Sequence, residues 1–339
     1  MVSIAKKSTA LMAAIVAAGG FGLGASSAAA EDTLTAVHAF PPFLVYTKTF
    51  LNYVAEVNKR GEGVIKITVR GGPEAIGMFQ QPQAVRDGVI DMVHTPGSFY
   101  GASVPEIDAM VAASKSPMEV RANGGAALMD QIHQKRFNVK HLAWIDSGIG
   151  FHIYMTKKPK FRDDGVLDLS GVKLRDNPIY HAFFQALNAT TASMKSTEVY
   201  SALEKGVVDA TAWPSIGIQD LKWDKFLKYR VDPRFYRTDL GIIVNLDSWR
   251  DLSEQSRKLL TDVAIEWEQK SFDDRAKDRD VQVADLKAKG MQMVAMSADA
   301  GERYVKIAND AAWTRMQGRL EKMGGMDNFS NLKALYDPN

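Results

Sequence analysis

Apolar positions recur at two different periods along this chain, and the two periods take turns. Thr33 to His38 alternates with a period of two, as a strand does, and Phe40-Pro41-Pro42 stops it. From Val45 to Lys59 the period lengthens to that of a helix. Phe50, Val54 and Val57 form its stripe, and Gly61 ends it. Val64 to Val69 returns to strand pattern before a Gly-Gly-Pro turn. The spacing then predicts a helix over 81–87, a strand over 89–93 and a loop over 95–101. Helical pattern follows over 116–136, with strands over 140–145 and 151–155. Gly171 to Arg175 opens a further strand, with a helix near 178–187 and another apolar strand over 239–247. Strands alternating with helices predict α/β architecture with a largely parallel sheet. The tail is mostly helical. Ser253 to Lys289 carries helical composition without proline, and a continuous helix there would be about 55 Å long. That length suits a helix crossing from one lobe to another.

One phrase in this pattern occurs twice. With Gly88 laid over Gly206, Ala84-Val85-Arg86-Asp87-Gly88-Val89-Ile90-Asp91 matches Ala202-Leu203-Glu204-Lys205-Gly206-Val207-Val208-Asp209. Both copies reach proline at the same offset, Pro96 and Pro214. A glycine just past a helix takes the left-handed conformation that caps it. The β-branched pair after it reads as buried strand, and the proline, which cannot donate to a ladder, ends that strand. Helix–glycine–strand units are common in α/β proteins, so convergence is one reading. The other is two similar lobes. Ligands of parallel sheets sit outside the carboxyl ends of the strands, so Thr95 and Trp213 would then face a shared cleft, one from each wall.

Composition narrows the class. The 339 residues carry 42 Lys+Arg against 40 Asp+Glu, a formal charge of +2, with no long basic block. A nucleic-acid partner is therefore not expected, since duplex binding needs a clustered basic face. Lys6 and Lys7 precede an apolar run from Leu11 to about Leu23, then small residues ending in Ala28-Ala29-Ala30 before Glu31-Asp32. This is the pattern of a secretory signal peptide over residues 1–30, cleaved after Ala30. A membrane anchor is the alternative reading, but the run is short for a span. There is no cysteine, hence neither disulfide nor lipid attachment at a cysteine. Export without an anchor points to a bacterial periplasm. The Asn-x-Thr match at Asn188 is read as accidental.

Signatures of catalysis are missing. The chain has no His-Glu-x-x-His, no Gly-x-Ser-x-Gly and no Gly-Lys-Ser/Thr phosphate loop. “GIGFHI” begins like a dinucleotide fingerprint, but Ile153 stands where the third glycine belongs. An enzyme is therefore not expected, nor is a cofactor or a bound metal.

The signal peptide, the first strand with its loop, “GVKLRDNP” (171–178) and “EVYSALEKGVVDATAWP” (198–214) resemble the DctP-like periplasmic solute-binding subunits of tripartite ATP-independent periplasmic (TRAP) transporters. The resemblance covers nearly the whole chain after residue 30. It implies a two-lobed α/β periplasmic-binding fold of type II-like form, with hinge strands and a long helix spanning both lobes. The implied lobes are 31–150 with about 239–270, and 151–238 with about 271–339. It also implies closure around an organic acid and two membrane partners, a small and a large subunit driven by an ion gradient.

In that family the arginine ending the “GVKLR” strand binds the substrate carboxylate, which places the role on Arg175. A guanidinium offers a planar fork of donors that matches a carboxylate. Sialic-acid-binding members are similar but carry a second arginine at the position of Phe151 and an asparagine at that of Trp213. Some oxoacid-binding members have a metal-holding glutamate where this chain has Ala212, which puts a metal-assisted mode in doubt. One cation with an added aromatic argues for a monocarboxylate with an apolar or aromatic body, held by Arg175 and covered by Trp213 and Phe151. His38, Phe40, Thr95, Tyr100, Tyr180 and Asp239 are further candidates, on segments that reach the cleft. The alternatives are a dicarboxylate or oxoacid ligand, an ATP-driven importer, or a sensor system.

Overall fold

A computed structural model describes residues 30–337. The signal peptide expected over 1–30 lies, up to residue 29, outside the described residues. The strands, in chain order, are β1 (Asp32–His38), β2 (Ile65–Val69), β3 (Met92–Pro96), β4 (Val139–Trp144), β5 (Gly150–Met155), β6 (Lys160–Phe161), β7 (Leu167–Asp168), β8 (Lys173–Asp176), β9 (Thr190–Ser193), β10 (Ala210–Pro214), β11 (Tyr229–Arg237), β12 (Leu240–Asn245) and β13 (Gln292–Ala295). One sheet runs β2-β1-β3-β12-β4, the other β13-β11-β5-β10-β8-β9, and β6 and β7 form a small hairpin ladder. The two large sheets are the cores of two lobes.

Both sheets are mixed, which corrects the expectation of largely parallel pairing. β1 pairs parallel with β2 and β3, but β12 is antiparallel to both β3 and β4. In the second sheet β10 is parallel to β8 and antiparallel to β5. The antiparallel partners are β5 and β12, the strands entered directly from the other sheet. A parallel neighbour joined through a crossover needs a dozen or more connecting residues. A strand arriving from the other lobe has no such constraint.

The two crossings lie side by side. Residues 145–149 lead from β4 to β5, and Thr238-Asp239 lead from β11 to β12. Trp144 Nε1 donates to the Thr238 carbonyl at 2.7 Å, Ile145 N to that of Leu240 at 2.9 Å, and Thr238 Oγ1 to that of Asp146 at 2.5 Å. The Asp146 carboxylate is fully buried and pairs with Arg275 at 3.1 Å, while Thr49 Oγ1 donates to the same oxygen. The crossings are thus tied to each other and to the long helix.

That helix runs from Glu254 to Ala288, 35 residues or about 52 Å, close to the length read from composition. Ser253 caps it, its Oγ accepting from Ser256 N, and Gly290 follows its end with positive φ. Its first half packs on the first sheet: Leu260, Val263 and Trp267 share a core with Phe50, Tyr53 and Val57. Full burial of each such side chain is worth roughly 1.5–3 kcal/mol. Farther along, Gln282 Oε1 accepts from Gly217 N at 2.6 Å and Leu286 enters the second lobe's core with Trp223. The helix therefore spans both lobes. A second long helix, Ala298–Met323, packs on β11 and on the helices His181–Ala186 and Asp108–Val111. The closing helix Met326–Tyr336 packs beside Asp108–Val111 and Gly125–Phe137. Among the described residues, no helix is long and apolar enough to cross a membrane.

The repeated phrase folds alike in both places. Gly88 and Gly206 have φ of 71° and 65°, and Val89 N and Val207 N each reach back 2.9 Å to the carbonyl of Ala84 or Ala202. Val89 and Val207 are 70% and 53% exposed and belong to the turn, so only Ile90 and Val208 of each pair are buried. The strands start later, at Met92 and Ala210, because the left-handed glycine directs the next residue outward before the chain re-enters the sheet.

Candidate functional site

A cavity of about 40 Å³ lies where the crossings meet the ends of β3, β8 and β10. Pro96 and Pro214, the matching prolines of the repeat, both line it. The expected residues Arg175, Trp213, Phe151, Phe40, Tyr180 and Asp239 line it as well.

Three expected residues are held elsewhere. His38 Nδ1 is 2.7 Å from the Phe40 carbonyl, which fixes the turn that carries Phe40. Thr95 is fully buried in β3 opposite Gly241, so the wall residue of the first copy is Pro96. Tyr100 is buried against His133 at 3.0 Å and stacks on Phe137, a core role. Ser98, Asn177, Thr238 and Tyr46 line the cavity without having been singled out. Ser98 and Asn177 sit in short turns following strands, where polar residues are too common to stand out.

Arg175 is the centre of the site. It is completely buried at the end of β8, and among the described residues no carboxylate comes within ion-pair distance of it. Its Nε and Nη2 donate to the Met194 carbonyl at 3.1 and 2.9 Å, and Nη1 donates to the Tyr180 hydroxyl. Tyr180 in turn donates to the Ala212 carbonyl at 3.1 Å. A guanidinium has five N–H donors. These contacts use three, leaving one N–H on each terminal nitrogen. A buried charge without a counter-ion is costly, so the arrangement is poised for an anion.

Most of the remaining wall is apolar. Trp213 meets Phe40 edge-on at 6.2 Å and Trp223 at 4.9 Å between ring centres. Phe151 meets Tyr180 edge-on at 5.8 Å. Asp239, buried at the hinge, accepts a 2.6 Å hydrogen bond from Ser98 N. Burial pushes its carboxyl up to about 6, the Ser98 N–H offsets part of that, and the Asp108 charge nearby adds to the rise.

Beside the cavity, Arg315 of the second long helix clamps Asp108 at 2.6 and 2.8 Å and donates to the carbonyls of Pro178 and Ile179. Asp108 lies on the first lobe's side and Pro178 on the second's, so this arginine joins the two walls.

A second constellation has the form of a hydrolytic triad. His152 lies 3.0 Å from Ser215 Oγ and 2.8 Å from Asp232 Oδ1. Ser215 is fully buried and its hydroxyl also donates to the Gly150 carbonyl at 3.0 Å. The trio ties β5, β10 and β11 together and offers a substrate no approach. Among the described residues, no group of three or more His, Cys, Asp or Glu is placed to hold a metal ion, and Ala212 supplies no ligand.

Residues 37–317 match the family model for bacterial extracellular solute-binding protein, family 7, DctP. A solute-binding protein of Albidiferax ferrireducens is 23% identical over 77% of this chain and 78% of its own length. The solved structure of a TRAP periplasmic solute-binding protein from Desulfovibrio salexigens, with bound orotic acid, superposes with a TM-score of 0.77 at 19% identity, covering 90% of this chain and 99% of that one. Another from Rhodoferax ferrireducens, with bound malonate, gives 0.73 at 21% identity over 89% and 96%. The chain shares the fold of those structures and belongs to the DctP family of bacterial extracellular solute-binding proteins, family 7.

Proposed function

We propose that this protein is the periplasmic receptor of a TRAP transporter and captures an organic acid between its lobes, with the carboxylate on Arg175. The observation that carries the reading is a fully buried guanidinium with two free N–H groups and, among the described residues, no acidic partner, inside a largely apolar cavity. In this reading the lobes are residues 31–150 with about 239–270, and 151–238 with about 271–339, although the last helix, Met326–Tyr336, packs beside Asp108–Val111 and Gly125–Phe137 of the first. The open form admits the acid, Arg175 pairs with it, and closure buries it. The ligand favours the closed form only by its differential affinity for that form. The closed receptor then docks on a small and a large membrane subunit, which an ion gradient drives.

Phe40, Phe151, Tyr180 and Trp213 favour a monocarboxylate with an aromatic or apolar body, since rings gain from edge contacts with rings. The small volume of the cavity favours a second reading, a short acid such as an aliphatic oxoacid. A thermal-shift screen separates them, because a ligand of the native state raises its melting temperature. Benzoates, cinnamates, aliphatic oxoacids and dicarboxylates are the panel. The expected result is stabilisation by aromatic acids that Arg175→Ala abolishes. Clear dicarboxylate hits with no aromatic hit would refute the ligand class, and stabilisation that survives Arg175→Ala would refute the site.

A further inference from the structure

The cavity holds a second ionisable group besides Arg175. Asp239 is 2% exposed and lines the same small space. One of its oxygens is occupied by Ser98 N at 2.6 Å. Its other oxygen has no hydrogen-bond partner among the described residues and is not among the buried unpartnered atoms. The Ser98 hydroxyl, also in the wall, is buried without a partner.

An arginine and an aspartate confined to one cavity would ordinarily pair. Here they do not: no Arg175–Asp239 contact falls within 4 Å. Each is held by its own lobe. Met194 and Tyr180 fix the guanidinium on the second lobe, while the Ser98 amide and the Gly97 N–H, which donates to the Asp239 carbonyl at 2.9 Å, fix the aspartate on the first. The separation leaves one end of the cavity short of an anion and the other with an Asp239 oxygen open to a ligand's donor.

We propose that Asp239 is the specificity-determining residue of this site: the receptor takes monocarboxylates that also carry a hydroxyl or N–H donor, and it discriminates against a second carboxylate. The proposal rests on the capture reading above and deepens it. A monoanion with a donor satisfies both ends. A dianion places its second charge beside Asp239, and like charges in a dry cavity repel strongly. A donor-free acid leaves that Asp239 oxygen without a hydrogen-bond partner and gains nothing there. Burial in the same dry setting raises the carboxyl of Asp239, and its hydrogen bonding with Ser98 offsets part of the rise.

Calorimetric titration of the mature chain at pH 7.5 tests this with two matched series: benzoate, its three hydroxy isomers and isophthalate; and propionate, lactate and malonate. In the wild type, a hydroxy acid of one series binds roughly tenfold or more tighter than its parent, the scale of a hydrogen bond to a charged acceptor, and the diacid binds more weakly than the parent. In Asp239→Asn both ratios move toward one. A wild-type diacid as tight as its parent overturns the proposal, as do ratios that Asp239→Asn leaves in place. Should Asp239→Asn not fold, the wild-type ratios decide alone. Acids that bind with these ratios missing but are lost in Arg175→Ala refute only the role of Asp239. Binding indifferent to Arg175→Ala refutes the capture reading and this proposal together.

Discussion

The two copies of the helix–glycine–strand phrase share a backbone and differ in almost every functional side chain. Gly88 and Gly206 adopt the same left-handed turn, β3 and β10 are both five residues long, and Pro96 and Pro214 both end at the cavity. Yet Asp91 accepts from Thr35 N and Ser248 Oγ and knits its lobe together, while Asp209 pairs at the surface with Lys157. His94 lies where the second copy has Ala212, and Thr95 where it has Trp213. The first copy spends its polar residues on internal order. The second lies beside β8, which presents Arg175, and supplies the aromatic wall. Repetition therefore builds the trap, and departures from it set what the trap holds.

The largest expected effect falls on the second copy's side. Arg175→Ala should cost roughly 2–5 kcal/mol of acid binding, because a buried carboxylate loses its partner; titration calorimetry reads it directly. The equivalent cavity-wall position in the first copy has no cation, so no substitution within β3 should approach that loss.

The next separates the copies by pH. Burial pushes His94 down to about 3 and His133 to about 4, against an ordinary value of 6.5. A histidine depressed in the folded state binds fewer protons there than when unfolded. Stability is therefore fully present above about pH 6.5 and falls toward pH 4, by about 1.4 kcal/mol per pH unit for each such group. His94→Phe, which keeps a ring against Phe50, should flatten the slope measured by urea unfolding between pH 7 and 5. Ala212→Ser, at the matching place in the second copy, should leave it unchanged. An unaltered slope in His94→Phe would remove this histidine from the account.

Smaller still are the paired glycines. Gly88→Ala and Gly206→Ala should each cost about 1–2 kcal/mol, the penalty of a left-handed Cβ. Nothing stands within 4 Å of the added methyl at Gly206, and only Asn245 Nδ2, at 3.8 Å, at Gly88. Costs differing by several-fold would show that the turns are not equivalent. The smallest effect is on ligand choice: Trp213→Leu should weaken aromatic acids by about 1 kcal/mol relative to aliphatic ones, read as a ratio of affinities.

Much of this was legible beforehand because its signals are local. The long helix shows in uninterrupted helical composition with Ser253 before it, and Arg175 in the “GVKLR” strand with its resemblance. β11 was not, because Asp232-Pro233-Arg234 interrupts its apolar pattern; those residues sit at the register shift between Val231 and Phe235. The mixed sheets were hidden as well, since direction depends on where a strand comes from rather than on its own residues. Ser98 and Arg315 act through partners far along the chain, Asp239 and Asp108, and distant pairing leaves no trace in spacing.

The most direct test of the central claim is a crystal structure of the protein with the tightest acid from the screen. The expected result is the ligand carboxylate on the two free N–H groups of Arg175, between Tyr180 and Trp213, with both lobes closed over it. An acid bound outside this cavity, with Arg175 still held only by Met194 and Tyr180, would contradict it.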